Sequence, residues 1–140
     1  MEWFSLDSVN WLAVLAATIA SFVVGYLWYR PALFGRERMK QLSLRGKDGG
    51  GDGGSWGRHA AVGVVILLTA LVMNMLMVAL GVGSVAGGAA FGLVLGAVFR
   101  LGTHLIHNGF ALRGHRATLI DGAQDVVSLG VVGAVIAAFL

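Results

Sequence analysis

Four stretches of this chain, at about residues 9–29, 59–80, 85–112 and 118–140, each stay apolar for the roughly 20 residues that a bilayer core requires. Inside hydrocarbon a segment of that kind must satisfy its own backbone amides, which a helix does. Hydrophobic residues make up 57% of the 140 and charged residues only 12%. A soluble domain carries about 25% charged residues, so this chain has too little polar material to cover a water-facing surface. The sequence therefore reads as one all-α domain, residues 1–140, an integral membrane protein built as an antiparallel bundle of four transmembrane helices.

The first span has Trp11 at one end and Trp28 with Tyr29 at the other, the placing expected of aromatic rings at the two interfaces. Asp7 or Ser8 is positioned to cap it. Ala13, Ala17, Ser21 and Gly25 recur every four residues and form a ridge on which another helix can pack. Pro31 ends the span. The segment 30–58 comes next, with Arg30, Arg36, Arg38, Lys40, Arg45, Lys47 and Arg58 against Glu37, Asp48 and Asp52. Within it Arg36–Leu44 reads as a short interfacial helix, with Met39 and Leu42 dipping into the headgroups. Gly46–Gly57 reads as a glycine-rich linker; it lacks the flanking strand and the GK[ST] ending of a phosphate-binding loop.

The second span is almost wholly aliphatic around Asn74, which is expected to bond a neighbouring helix. Gly81–Ser84 is an uncharged tight turn, so the third span returns antiparallel at once. Gly88, Gly92 and Gly96 make two GxxxG steps, along which another backbone can come close. Basic residues crowd the loops at 30–58 and 113–116, whereas Glu2, Asp7 and the second turn face the other way. The positive-inside rule then puts both termini outside the cytoplasm. That distribution also explains the net charge of +3 without nucleic acid as a partner.

One polar stretch interrupts this pattern. Arg100, His104, His107 and Asn108 end the third span, and Asp121, Gln124, Asp125 and Ser128 lie at i, i+3, i+4 and i+7 early in the fourth. Arg100 and His104 continue the i+4 row of the glycines. With a rise of about 1.5 Å per residue, antiparallel packing brings His104 level with Asp125 and His107 near Asp121. Insertion remains feasible. Eleven Leu, Ile, Val and Phe residues in the fourth span contribute roughly −0.3 to −0.6 kcal/mol each, against about +2.5 to +3.5 for a central Asp. Asp125 is expected to be charged and paired with Arg100, His104 or both, since an unpaired carboxylate at that depth loses its hydration.

The segment Trp28-Tyr29-Arg30-Pro31-Ala32-Leu33-Phe34-Gly35-Arg36 resembles the WYxPxLFGK segment of the domain of unknown function 1761 family. Asp121–Leu140 is similar to that family's last span, and Thr103, Asn108 and Phe110 to its third. The sequence departs from the family pattern at Asp121, Gln124 and Asp125, where members often carry Asn, Tyr and His. The resemblance implies a small bacterial membrane protein with four spans, and implies no activity.

No catalytic motif, cofactor box or cysteine is present, and the reading is of a non-enzymatic protein without a cofactor. Three roles fit the polar stretch. It can be an Arg/His/Asp network locking helices three and four of a structural or accessory subunit. It can be a route for protons or metal ions through a small oligomeric transporter or channel. It can also be a metal site from His104, His107, Asp121 and Asp125. Expected partners are the lipid bilayer and a second copy or a larger membrane complex. A dry, fully paired cluster favours the structural role, and a water-filled vestibule beside Asp125 favours the transporter.

Overall fold

The computed structural model describes residues 4–43 and 55–140. Of the expected linker Gly46–Gly57, residues 46–54 lie outside the described residues, as do Glu2, Arg45 and the end of the interfacial helix at Leu44, whereas Ser55–Gly57 are helical and correct the linker's end. The described residues form helices only: α1 (Trp11–Trp28), α2 (Gly35–Ser43), α3 (Ser55–Ala79), α4 (Val85–Leu95), α5 (Gly102–Phe110) and α6 (His115–Phe139). A π turn, Gly96–Leu101, joins α4 to α5 so that the two act as one long third span. Four helices, Trp11–Trp28, Trp56–Ala79, Val85–Phe110 and His115–Phe139, are long and apolar enough to cross a membrane.

Helix α6 is the central one. It packs against α1, α3 and the third span, and is the most buried of the four. Pairs across each contact show the antiparallel register. Along α1 and α6 they are Asn10 with Phe139, Ser21 with Ser128, and Trp28 with Ile120. Along the third span and α6 they run from Gly88 opposite Gly133 to Asn108 opposite Thr118. The dry core lies towards the end of the bundle that holds the chain termini. Val14 and Ala17 of α1, Met73, Met75 and Met77 of α3, and Val132 and Ile136 of α6 are buried there.

Close approach explains the glycine row. A Cβ on Gly88 would meet Gly133 O, one on Gly92 would meet Leu129 O, and one on Gly96 would stand 2.7 Å from Val126 Cα. All three obstacles are backbone of α6, so only glycine lets the helices touch here. The row does not continue to Arg100. The π turn inserts one residue, which rotates the rest of the span by about 100°. Leu101 therefore takes the next place facing α6 and sits over Gly122, where a Cβ would collide with it. Arg100 is turned away from α6, which corrects the continuous i+4 row expected of the glycines, Arg100 and His104.

The cap of α1 also differs from expectation. Leu6–Ser8 forms a 3-10 turn, and Asn10 is the capping residue, its Oδ1 accepting from Ala13 N at 3.1 Å. Asn10 N donates to Asn74 Oδ1 at 3.3 Å and Asn10 Nδ2 to Phe139 O at 3.1 Å. One residue thus ties α1, α3 and α6 at the closed end of the bundle.

Candidate functional site

At the other end of the bundle, α3 leans out. Its buried residues lie at Ala70 and beyond, while Val62 and Val65 are half exposed. The space left between α1, α3, the third span and α6 is a cavity of about 1020 Å³. One side is largely apolar, with Phe22 from α1 and Val62, Val65 and Ile66 from α3, although Arg58, His59 and Thr69 of α3 also line it. The facing wall is polar, with Arg100 and His104 from the third span and Asp121, Gln124, Asp125 and Ser128 from α6. Leu129 and Val132 form its floor, above the dry core.

The polar wall is made of short cross-helix bonds. His104 Nε2 lies 2.9 Å from Asp125 Oδ2, and both side chains are partly exposed, at 34% and 24%. Tyr29 Oη donates to Asp121 Oδ1 at 2.6 Å. Ser21 and Ser128 share a 3.0 Å hydroxyl bond, and Gln124 Nε2 donates to Ser128 Oγ at 3.4 Å. Arg100 Nη2 donates to Thr69 Oγ1 on α3 at 3.1 Å. Asp125 is thus paired with His104, and Arg100 reaches across to α3 instead. Asn108 belongs to a separate bond nearer the loop, to Thr118 at 3.0 Å, and His107 is exposed. Among the described residues no group of three or more His, Asp or Glu side chains could hold a metal.

Several contributors escape a sequence reading. Trp28 and Tyr29 have the pattern of interfacial rings, yet Trp28 Nε1 donates to Ile120 O at 3.1 Å and Tyr29 grips Asp121. The chain reverses just beyond them, with Phe34 N bonded to Trp28 O and Gly35 N to Arg30 O. A Cβ on Gly35 would strike the Tyr29 and Arg30 backbone, and Phe34 stacks on Trp28 at 4.7 Å. This knot fixes both rings against the start of α6. Thr69 is the other omission. It is the single polar side chain between His59 and Asn74, and that isolation was the available signal.

Four apolar helices long enough to span a bilayer, enclosing a polar-walled cavity, define an integral membrane protein. The model of one family, described as protein of unknown function (DUF1761), matches residues 12–137, and the chain belongs to that family. The match takes in the Trp28–Gly35 knot, the glycine row and the whole polar wall. Neither the curated proteins nor the solved structures contain a match to the chain.

Proposed function

We propose that this protein is a small non-enzymatic membrane protein that admits a solute or ion into a half-membrane vestibule, a role of the transport class. One observation carries the reading: the His104–Asp125 pair borders a cavity of about 1020 Å³ and is partly exposed to it. A cluster serving only to lock helices would be dry, because burial without water is what strengthens such pairs. Intramembrane ionisable groups characteristically face a cavity or pathway. The vestibule is blind, closed by Leu129, Val132 and the methionine-rich core. Passage across the bilayer therefore needs a second conformation or a second copy.

The positive-inside rule orients the proposal. The mouth opens on the side of Arg58 and the basic loop with Arg113 and Arg116, which is the cytoplasmic side of an inner membrane, with both termini outside. The chain has no native cysteine, so single cysteines report cleanly. In intact cells an impermeant thiol reagent should label Ser5→Cys and Ser84→Cys and leave Leu112→Cys and Gln124→Cys unmodified. In inverted membranes Leu112→Cys and Gln124→Cys should react. Failure of Gln124→Cys to react from either side would overturn the vestibule.

A structural reading has its own support, since His104–Asp125, Tyr29–Asp121 and Ser21–Ser128 each join two helices. Under that reading the protein is an accessory subunit of a larger membrane complex, and the polar wall holds its helices in register.

A further inference from the structure

We propose that the vestibule binds an amphiphilic organic anion, a carboxylate with a single apolar chain, whose acid group sits on Arg100. The inference rests on the vestibule reading and names its ligand class.

Charge supplies the first half of the ligand. Asp121, Asp125, Arg100 and His104 line the cavity, together with Arg58 and His59. Asp125 is 2.9 Å from His104 and Asp121 accepts the Tyr29 hydroxyl. Arg100 is different. Among the described residues its partner is the neutral hydroxyl of Thr69, and no carboxylate lies within the 4.0 Å of an ion pair. A guanidinium at this depth without a counter-ion is costly, and such a group is by default a functional one. The π turn is what holds it there. Without the extra residue Arg100 would fall in the glycine row facing α6, and Leu101 would not. An irregular turn thus aims a cation into the cavity, and π turns of this kind gather at functional sites.

Shape supplies the second half. Phe22, Val62, Val65 and Ile66 give the cavity an apolar side suited to a hydrocarbon chain, and Arg58 and His59 of α3 line it as well. Helix α3 packs on α1 and α6, and the Arg100–Thr69 bond ties it to the third span. The mouth, at the level of Tyr29 and Arg58, lies at the headgroup end of the bundle, where an amphiphile collects. On entry a carboxylate takes the place of the Thr69 hydroxyl, exchanging a neutral acceptor for a charged, bidentate one. The volume is at the upper end of the roughly 300–1,000 Å³ of small-molecule sites, ample for one chain.

The test uses the full chain in maltoside micelles, with thermal stability as the readout, because a ligand that binds the folded state raises Tm saturably. The probes are decanoate, 1-decanol and acetate, which separate acid from chain. Decanoate should stabilise saturably, and the other two should not at equal concentration. Arg100→Gln should weaken the apparent decanoate affinity by roughly ten- to a hundredfold, the usual scale for losing a charge-assisted bond. Arg100→Lys, which keeps the charge, should retain part of it. If Arg100→Gln does not fold, Val65→Trp, on the half-exposed apolar wall, should weaken decanoate instead. Equal protection by acetate would overturn the amphiphile, and equal protection by decanol would remove Arg100 from recognition. Decanoate binding unchanged in Arg100→Gln would refute the proposal outright. Should Gln124→Cys react from the cytoplasmic side while decanoate fails, the ligand class is wrong and the vestibule stands; should neither occur, both readings fall.

Discussion

Alanine at Gly92 adds one methyl group and should unseat a backbone-to-backbone helix contact that has no room for it. A Cβ there meets Leu129 O and stands 3.0 Å from Gly130 Cα. Both are backbone atoms of α6, so no side-chain rotation relieves the overlap and the helices must separate. Overpacking of this kind costs about 1–3 kcal/mol. Separation also weakens dispersion at the flanking Gly88–Gly133 and Gly96–Val126 contacts. Against this, alanine improves on glycine in a helix by up to ~1 kcal/mol. The expected net loss is about 1–2 kcal/mol, a drop in Tm of a few degrees for a chain of this size. Gly109→Ala, in the same span, is the internal control, because nothing lies within 4 Å of its Cβ. It should be neutral or slightly stabilising. Reversible unfolding in mixed micelles, followed by far-UV circular dichroism, measures both. A Gly92→Ala protein as stable as wild type, or a Gly109→Ala protein equally destabilised, would show that the contact with α6 is not what requires the glycine.

Three other substitutions probe the polar and strained positions. Asp125→Ala should destabilise more than the double change His104→Ala with Asp125→Ala, because it strands a partner at membrane depth; unfolding in the same micelles compares them. Tyr29→Phe removes the 2.6 Å bond to Asp121 and should cost about 1–3 kcal/mol, with Trp28→Phe as a check on whether the knot loosens as a unit. Leu112 holds a left-handed backbone, φ 53, at an exposed loop position. Leu112→Gly should therefore leave stability unchanged or raise it by up to ~1 kcal/mol, and a clear loss of Tm would contradict that strain.

The four apolar helices could be read from segment length alone, because in a membrane the backbone has so few alternatives. The antiparallel order could be read from short turns such as Gly81–Ser84, where Ser84 caps α4 by accepting from Gly87 N at 3.0 Å. The π turn could not be read. Glycine and alanine around Gly96 keep the helical period on both sides, and a single inserted residue leaves no compositional trace. Its consequence was the error in placing Arg100. Tyr29 illustrates a second limit: a ring at an interface and a ring reaching a carboxylate on a neighbouring helix look identical in sequence. The cavity was illegible because it arises from how α3 sits against α1 and α6, which helical periodicity does not encode. The chemistry of its wall, Asp121, Gln124, Asp125 and Ser128 on one face with His104 level with Asp125, is legible from spacing alone.

The central claim is a water-accessible vestibule that stops halfway, and a thiol-reactivity profile along α6 tests it most directly. Single cysteines at residues 121, 124, 125, 128, 132, 136 and 137, in membranes inverted to expose the basic loops, are to be timed against one impermeant reagent. A half-membrane vestibule predicts fast modification at 121, 124, 125 and 128, a steep fall at 132, and none at 136 and 137, where Ile136 is fully buried and Ala137 is 5% exposed. Uniform protection from 121 onward would contradict the vestibule. Reactivity continuing through 136 and 137 would contradict the dry seal and make the structure a pore.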